Sequence, residues 1–226
     1  MEANSPVWDP QQARCAQRRT VRFLRPMVVW PFVRQVRGLD KLGRDQRHLF
    51  VVNHVSLLDA LMLSGVLTKS GHGPVLVLGD KSVWNTSSIR RWLSQEFGFL
   101  VERGRINPTR IRELQAYGRA ASDYQLIVFP EGTRGNGVDV AECQPGIYYI
   151  AQAARVPIVP VFLENMHLVS TKTGSFHLFG GWRKVVVHFG DAIAPESYSD
   201  IPREEFGEFI RGKITDVRDK IPAAKS

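Results

Sequence analysis

Short apolar runs that alternate with helical patterns are the feature that most constrains the fold of this chain. The runs 48–52, 75–78 and 126–129 have the length of strands that are buried on both faces. Between the first two, residues 57–67 read as a helix. Because parallel strands are joined by long crossover connections that are usually helical, this alternation predicts a largely parallel sheet flanked by helices. We therefore expect an α/β fold.

The same alternation continues to the end of the chain of 226 residues, a length typical of one domain or of one domain with an extension. The remaining predicted strands are 99–101, 158–162 and 184–189. The remaining predicted helices are 89–97, one that opens at Asn107-Pro108, 145–154 and one that begins near Pro202. No repeat interrupts the pattern, and 168–183 is expected to be a long loop. We therefore predict one α/β domain over residues 41–226.

A strongly basic segment precedes this domain. Residues 1–48 contain ten Lys or Arg and four Asp or Glu, which accounts for +6 of the net charge of +8. Aromatic and aliphatic residues are mixed with this charge, as in Phe23 and Trp30. The mixture predicts that residues 1–40, and 11–35 in particular, form an amphipathic segment that contacts an anionic membrane surface. The alternative is a helix that packs on the domain and leaves its basic face in water.

Several classes of protein do not fit the sequence. No apolar run approaches the roughly 18–20 residues that span a bilayer, and no secretory signal is visible, so we expect a soluble or peripheral protein. Cys15 and Cys143 are too few for a disulfide framework and are expected to be reduced thiols. The spacing of the six histidines predicts no metal site, and no nucleic-acid-binding motif is present. A Gly-x-Ser-x-Gly elbow of serine hydrolases is also missing.

The first candidate site is Asn53-His54-Val55-Ser56-Leu57-Leu58-Asp59, between a buried strand and a helix. If Ser56 caps the helix, Asp59 lies in its first turn and points back toward His54. Ser56 and Asp59 are then also a capping box, which explains them without chemistry. A capping box does not explain His54, which follows the end of a strand, where open parallel sheets bind ligands. A histidine held there by a carboxylate is suited to act as a general base.

The second candidate site is Phe129-Pro130-Glu131-Gly132-Thr133-Arg134-Gly135, which also follows a buried strand. Two glycines, a hydroxyl and an arginine offer backbone amides and a forked cation, which suit a phosphate group. The alternative is a tight turn with a surface ion pair. Arg103 follows another strand and by itself is read as a solvated cation.

Taken together, these motifs resemble those of the lysophosphatidic acid acyltransferases, the PlsC-like glycerolipid acyltransferases. The resemblance covers roughly residues 48–165 and rests on His54-x4-Asp59, on 129–134 and on the run Val156-Pro-Ile-Val-Pro-Val161. It implies that His54 is the base and Asp59 its orienting partner. It also implies that an acceptor phosphate is held by Glu131, Gly132, Thr133, Arg134 and Arg103, with Lys81 as a weaker binding candidate.

The sequence departs from the family pattern in several places. Val55 stands where many members have glutamine, and the stretch that leads to Arg103 is one residue shorter than usual. Many members carry an N-terminal membrane helix, which the basic segment would replace here. The resemblance therefore implies a cytoplasmic enzyme, peripheral on the inner face of the cell membrane.

The resemblance implies transfer of a fatty acyl group from an acyl thioester to a lysophospholipid hydroxyl, with 1-acylglycerol-3-phosphate as the expected acceptor. The thioester, of coenzyme A or of acyl carrier protein, is a co-substrate, and no bound cofactor is expected. One alternative keeps this chemistry with a non-phosphate acceptor: a lyso-aminolipid, a glycolipid or a secondary metabolite. The other is a thioesterase in which His54 activates water. A covalent route through Ser56 is also considered, although capping explains that residue.

Overall fold

The fold is built on one twisted sheet of seven strands. A computed structural model describes residues 16–23, 26, 29–80, 88, 91–92, 97–101, 108–120, 124–170, 177 and 179–222. The strands are β1 Val33–Arg37, β2 Leu49–Val52, β3 Val75–Asp80, β4 Gly98–Val101, β5 Gln125–Val128, β6 Ile158–Glu164 and β7 Val185–Phe189. Their order across the sheet is β1-β7-β6-β2-β5-β3-β4. The strands β6, β2, β5, β3 and β4 are mutually parallel, while β7 runs antiparallel to β6 and parallel to β1.

Helices cover both faces of this sheet. The helices described over their whole length are α1 Leu58–Lys69, α2 Pro108–Ala120, α3 Gly146–Ala154 and α4 Arg203–Asp219. Along β2, Phe50 and Val52 pack with α1, whereas Leu49 and Val51 pack in the cluster that contains α2, α3 and α4. Because successive strand residues point to opposite faces, one apolar run serves two cores. The predicted α/β architecture with a largely parallel sheet is therefore confirmed.

The predicted strands and most predicted helices are present within a few residues of their expected limits. The predicted helix at 89–97 and the loop at 168–183 fall partly outside the described residues. Residues 16–23 are also helical, and short 3₁₀ turns lie at Leu39–Lys41, Met166–Leu168 and Pro195–Ser197. Across that part of the chain, no helix combines the length and apolar character needed to span a bilayer.

One element was not expected, because residues 33–37 lie in the basic N-terminal segment by sequence. They form the edge strand β1, which pairs with β7 from Val33↔Val185 to Arg37↔His188. Arg34, Gln35, Val36 and Arg37 are all exposed, so the strand has no buried face that would produce an alternating pattern. Arginines on an open edge also discourage pairing with another chain. The sheet therefore begins inside the segment that the sequence assigned to membrane contact.

Gly38 ends β1 in a conformation that favours glycine, since its φ is +79°. A Cβ at this position would overlap the carbonyl oxygen of Phe189. We expect Gly38→Ala to lower the free energy of unfolding by about 1–3 kcal/mol, which chemical denaturation measures. The matched control is Gly212→Ala in α4, where a Cβ meets nothing within 4 Å. There, alanine should raise stability by about 0.5–1 kcal/mol. Equal effects at both positions would contradict this reading of Gly38.

Candidate functional site

The first motif folds into a turn in which one carboxylate oxygen collects three donors. Oδ2 of Asp59 lies 2.9 Å from Nδ1 of His54, 2.6 Å from the backbone nitrogen of Val55 and 2.8 Å from that of Ser56. Asp59 is wholly buried, while the side chain of His54 keeps 16% of its exposure. Several donors are what a buried carboxylate needs, because its desolvation is otherwise costly. The structure thus brings together the two residues of the His-x4-Asp motif.

These contacts fix the tautomer of His54. Backbone N–H groups can only donate, so the Oδ2 atom that takes two of them is an acceptor, as expected for an ionised carboxylate. Nδ1 of His54 therefore carries a hydrogen and donates it to Asp59. In the neutral ring, Nε2 then has a free lone pair and is the atom that can take a proton. Such an arrangement gives the ring the form and orientation required of a general base.

The structure keeps only part of the predicted capping pattern, because the N-cap of α1 is Leu57 and not Ser56. Asp59 accepts the backbone N–H of Ser56, as in a capping box, and Oγ of Ser56 accepts the N–H of Leu58 at 3.2 Å. The helix begins at Leu58, and its first turn also includes a bond from Asp59 N to Ser56 O. Asp59 therefore stabilises the start of α1 and orients His54 with the same oxygen.

The second motif holds the backbone of His54 from the neighbouring strand. Oε1 of Glu131 accepts the N–H of His54 at 2.7 Å, and Oε2 accepts the N–H of Ala141 at 3.2 Å. The N–H of Gly135 donates to the carbonyl oxygen of His54 at 2.6 Å. Burial raises the pKa of the Glu131 carboxyl, while the two amide donors oppose that rise. Each Glu131 oxygen therefore accepts a backbone N–H within the protein, a structural role that the sequence analysis did not predict.

Two residues without an assigned role in the sequence analysis complete the surroundings of His54. The ring of Phe129 stacks on the imidazole, with centroids 4.3 Å apart and planes 27° from parallel. Oδ1 of Asn53 accepts the N–H of Leu163 at 2.7 Å, which ties the end of β2 to β6. Phe129 follows the buried strand β5 as Asn53 follows β2. That position at the strand end is the signal in the sequence that could have identified both residues.

The rest of the second motif forms the loop beside His54. Gly132 has a φ of +64°, and a Cβ there would lie 2.8 Å from Cγ of Gln144, so the turn requires glycine. Thr133 is exposed and Arg134 is half-buried. Among the described residues, Arg134 forms no ion pair with a carboxylate. A cation without such a partner, close in the chain to the loop that holds His54, suits an anionic ligand.

Three further residues considered in the sequence analysis are the cations Lys81 and Arg103 and the thiol of Cys143. Lys81 and Arg103 lie outside the described residues. Cys143 is buried, and burial raises the pKa of its thiol to about 12, so a thiolate is strongly disfavoured at neutral pH. Within the described ranges, no group of three or more His, Cys, Asp or Glu side chains is arranged to hold a metal ion.

Comparisons with known proteins agree on one family. The family model described as Acyltransferase matches residues 33–164, more than half of the chain. The 1-acyl-sn-glycerol-3-phosphate acyltransferase of Cocos nucifera is 30% identical over 57% of this chain and 41% of its own length. A probable 1-acyl-sn-glycerol-3-phosphate acyltransferase of Mycoplasma genitalium is 26% identical over 88% of this chain and 77% of its own length.

A solved structure agrees on the fold. The crystal structure of the 1-acyl-sn-glycerophosphate acyltransferase PlsC from Thermotoga maritima superposes with a TM-score of 0.67 at 19% identity, and the match covers 96% of this chain and 85% of that one. The chain spans less than half the length of the coconut relative and of a sheep relative, 41% and 45% respectively.

The contacts of Glu131 predict a structural role that unfolding can test. In Glu131→Gln, the amide NH₂ replaces one acceptor and faces a backbone N–H, so one buried donor loses its partner. We expect the free energy of unfolding to fall by about 1–3 kcal/mol in chemical denaturation. The control is Glu208→Gln in α4, whose carboxylate is exposed and bonds Arg211 at 3.3 Å. That change should stay within about 0.5 kcal/mol of wild type. If Glu131→Gln were as stable as the wild type, the structural role of the Glu131 carboxylate would be contradicted.

Proposed function

This chain belongs to the acyltransferase family, and we propose that it transfers a fatty acyl group from an acyl thioester to the hydroxyl of a lysophospholipid. The acceptor that we propose is 1-acylglycerol-3-phosphate, and the general base is His54, oriented by Asp59. The observation that carries the proposal is the bond from Nδ1 of His54 to Asp59, which leaves Nε2 as the basic atom. The names of the relatives support the choice of acceptor.

The proposed reaction needs one base and no acyl-enzyme. Nε2 of His54 takes the proton of the acceptor hydroxyl as its oxygen attacks the thioester carbonyl. The C–O bond forms, the carbonyl electrons move to oxygen, and Asp59 stabilises the resulting imidazolium. When the intermediate collapses, the C–S bond breaks and the thiolate leaves, taking the proton from His54. The products are the ester and a free thiol, and His54 returns to its starting form.

The surroundings of Ser56 and Cys143 favour this direct route over a covalent one. Ser56 is buried, and its oxygen accepts the backbone N–H of Leu58. A serine nucleophile needs its hydroxyl within reach of both the base and the substrate. Cys143 is a protonated buried thiol, for the reason given above. Both residues thus have structural explanations that need no acyl transfer.

In this proposal, the acceptor phosphate contacts the loop of Gly132, Thr133 and Arg134. The forked guanidinium of Arg134 matches the oxygens of a phosphate and supplies charge-assisted hydrogen bonds. Lys81 and Arg103 stay candidates for the same anion on sequence grounds alone. The donor is a thioester of coenzyme A or acyl carrier protein, used as a co-substrate. Neither donor requires a bound cofactor.

The proposed location is the inner face of the cell membrane, because lysophospholipids reside in membranes. The basic N-terminal segment supports attachment without a membrane span. Within it, Arg18, Arg19 and Arg22 are exposed on the helical residues 16–23. Exposed cations of this kind are attracted to anionic headgroups. The membrane is thus a partner in addition to the two substrates.

The first test measures thiol release from a long-chain acyl-CoA, with and without lysophosphatidic acid. We expect release that depends on the acceptor, and His54→Ala should reduce kcat by about 10²–10⁴ because the general base is lost. Thermal unfolding should show that the variant remains folded.

The outcomes of this assay separate the proposal from its alternatives. Release that depends on His54 but not on the acceptor, with free fatty acid as product, would identify a thioesterase instead. Release that needs another lysolipid would replace the acceptor and keep the chemistry. Full activity in His54→Ala would refute the mechanism.

The role of Arg134 predicts a change in KM for the acceptor. A charge-assisted hydrogen bond contributes about 1.5–3 kcal/mol, so Arg134→Ala should raise this KM roughly 10- to 100-fold. Arg37→Ala removes the same charge and is the control. Because β1 runs antiparallel to β2, Arg37 lies at the edge of the sheet opposite His54. Acceptor kinetics should therefore be unchanged in the control. An unchanged acceptor KM in Arg134→Ala would exclude this contact.

A further inference from the structure

Three exposed aromatic side chains lie on two segments that are distant in sequence and meet in the fold. Trp30, Phe179 and Trp182 retain 58%, 86% and 47% of their exposure. The rings of Trp30 and Trp182 meet edge to face, with centroids 6.5 Å apart. Phe179 lies in the same turn as Trp182, whose N–H approaches the carbonyl oxygen of Phe179 at 3.4 Å. Scattered exposed apolar residues are ordinary, but a joined aromatic surface is typical of an interaction site.

Hydrogen bonds hold this aromatic face in a fixed shape. Arg183, next to Trp182, donates its backbone N–H to the carbonyl oxygen of Pro31 at 2.8 Å and a guanidinium N–H to that of Val33 at 2.9 Å. Two residues after Arg183, the backbone N–H of Val185 donates to the carbonyl oxygen of Phe32 at 3.0 Å. The two segments therefore present Trp30 and Trp182 together. Preorganised side chains lose less conformational entropy when they bind.

A basic groove lies beside the aromatic face and shares Trp30 with it. The groove has a volume of about 530 Å³, and its cations are Arg18, Arg22 and Lys69. None of the described residues that line it is acidic. Lys69 is in the last turn of α1, and Arg18 and Arg22 are four residues apart on the helical residues 16–23. The cations of such a groove suit the phosphates of lipid headgroups, and the tryptophan at its border suits the boundary between the headgroups and the apolar layer.

We propose that this composite face, made of Trp30, Phe179 and Trp182 with Arg18, Arg22 and Lys69, rests on an anionic phospholipid bilayer. The aromatic rings enter the headgroup layer, and the cations bind lipid phosphates. The catalytic domain thus supplies its own membrane contact through the turn before β7, in addition to the basic N-terminal segment. This inference rests on the proposed function for its biological purpose, but the binding itself needs no catalysis.

The topology of the sheet gives this contact a consequence for the reaction. Because β7 runs antiparallel to β6, the turn that precedes β7 lies beside the carboxyl ends of β6 and β2. His54 follows β2 at that same end. The aromatic turn of Phe179 and Trp182 therefore lies at the same end of the strands as the candidate base, while Lys69 lies at the far end of α1.

The test measures binding of the full chain to phosphatidylcholine vesicles with and without phosphatidylglycerol, by co-sedimentation. We expect the double variant Phe179→Ala, Trp182→Ala to bind phosphatidylglycerol vesicles about 10- to 100-fold more weakly, since two aromatic rings no longer enter the headgroup layer. The triple variant Arg18→Gln, Arg22→Gln, Lys69→Gln should show a weaker preference for phosphatidylglycerol and a weaker sensitivity to salt than wild type. The aromatic control is Trp92→Ala, which removes a tryptophan of 43% exposure that precedes β4, at the other edge of the sheet. Its binding should equal that of wild type.

Several results would overturn the proposal. They are failure of the wild type to bind anionic vesicles, wild-type binding by the double variant, or equal loss of binding in Trp92→Ala. A dimer that the double variant dissociates, without vesicle binding by the wild type, would assign the face to a second copy of the chain. The double variant should keep wild-type activity on a short-chain lysolipid that is monomeric in solution. Vesicle binding without any acyl transfer would refute the proposed function and leave this inference standing.

Discussion

The buried carboxylate of Asp59 is the constraint on which the candidate site depends. A charge without access to water needs several donors, and here His54, Val55 and Ser56 supply them to one oxygen. Those donors are adjacent in sequence, so the chain must turn sharply between β2 and α1 to bring them to one point. The turn that brings these donors to Oδ2 is also the turn that orients the imidazole. The stability of the helix start and the orientation of the candidate base therefore depend on the same contacts.

The sheet supplies the second half of this arrangement. Because β2 and β5 are parallel neighbours, with Val51 opposite Val128, the loops that follow them leave the sheet side by side. Glu131, 77 positions later in the sequence, can then accept the backbone N–H of His54. The backbone N–H of Gly135 donates to the carbonyl oxygen of the same residue. A histidine held at its backbone, at Nδ1 and on its ring face has little freedom left. Such fixation lowers the cost of reorganisation during proton transfer.

The sequence predicted those parts of the molecule whose burial leaves a pattern. Strands buried on both faces read as apolar runs, and α4 shows its buried face through Phe206, Ile210 and Ile214. The edge strand β1 leaves no such pattern, because its side chains are exposed. The meeting of His54 and Asp59 was predicted because it is local. The two amide contacts of Glu131 depend on how separate loops pack against each other. The spacing of residues along the chain does not predict that packing.

The single reversal of strand direction in the sheet links the site to the surface. If β7 were parallel to its neighbours, the turn that carries Trp182 would lie at the opposite edge, far from the ends of β2 and β5. The antiparallel pairing of β7 with β6 instead puts that turn on the side of His54. The edge strand β1 follows the direction of β7 and starts beside the same turn, which brings Trp30 against Trp182. In the proposed function the acceptor is a bilayer lipid, and the turn proposed to contact the bilayer then lies at the same end of the strands as the candidate base.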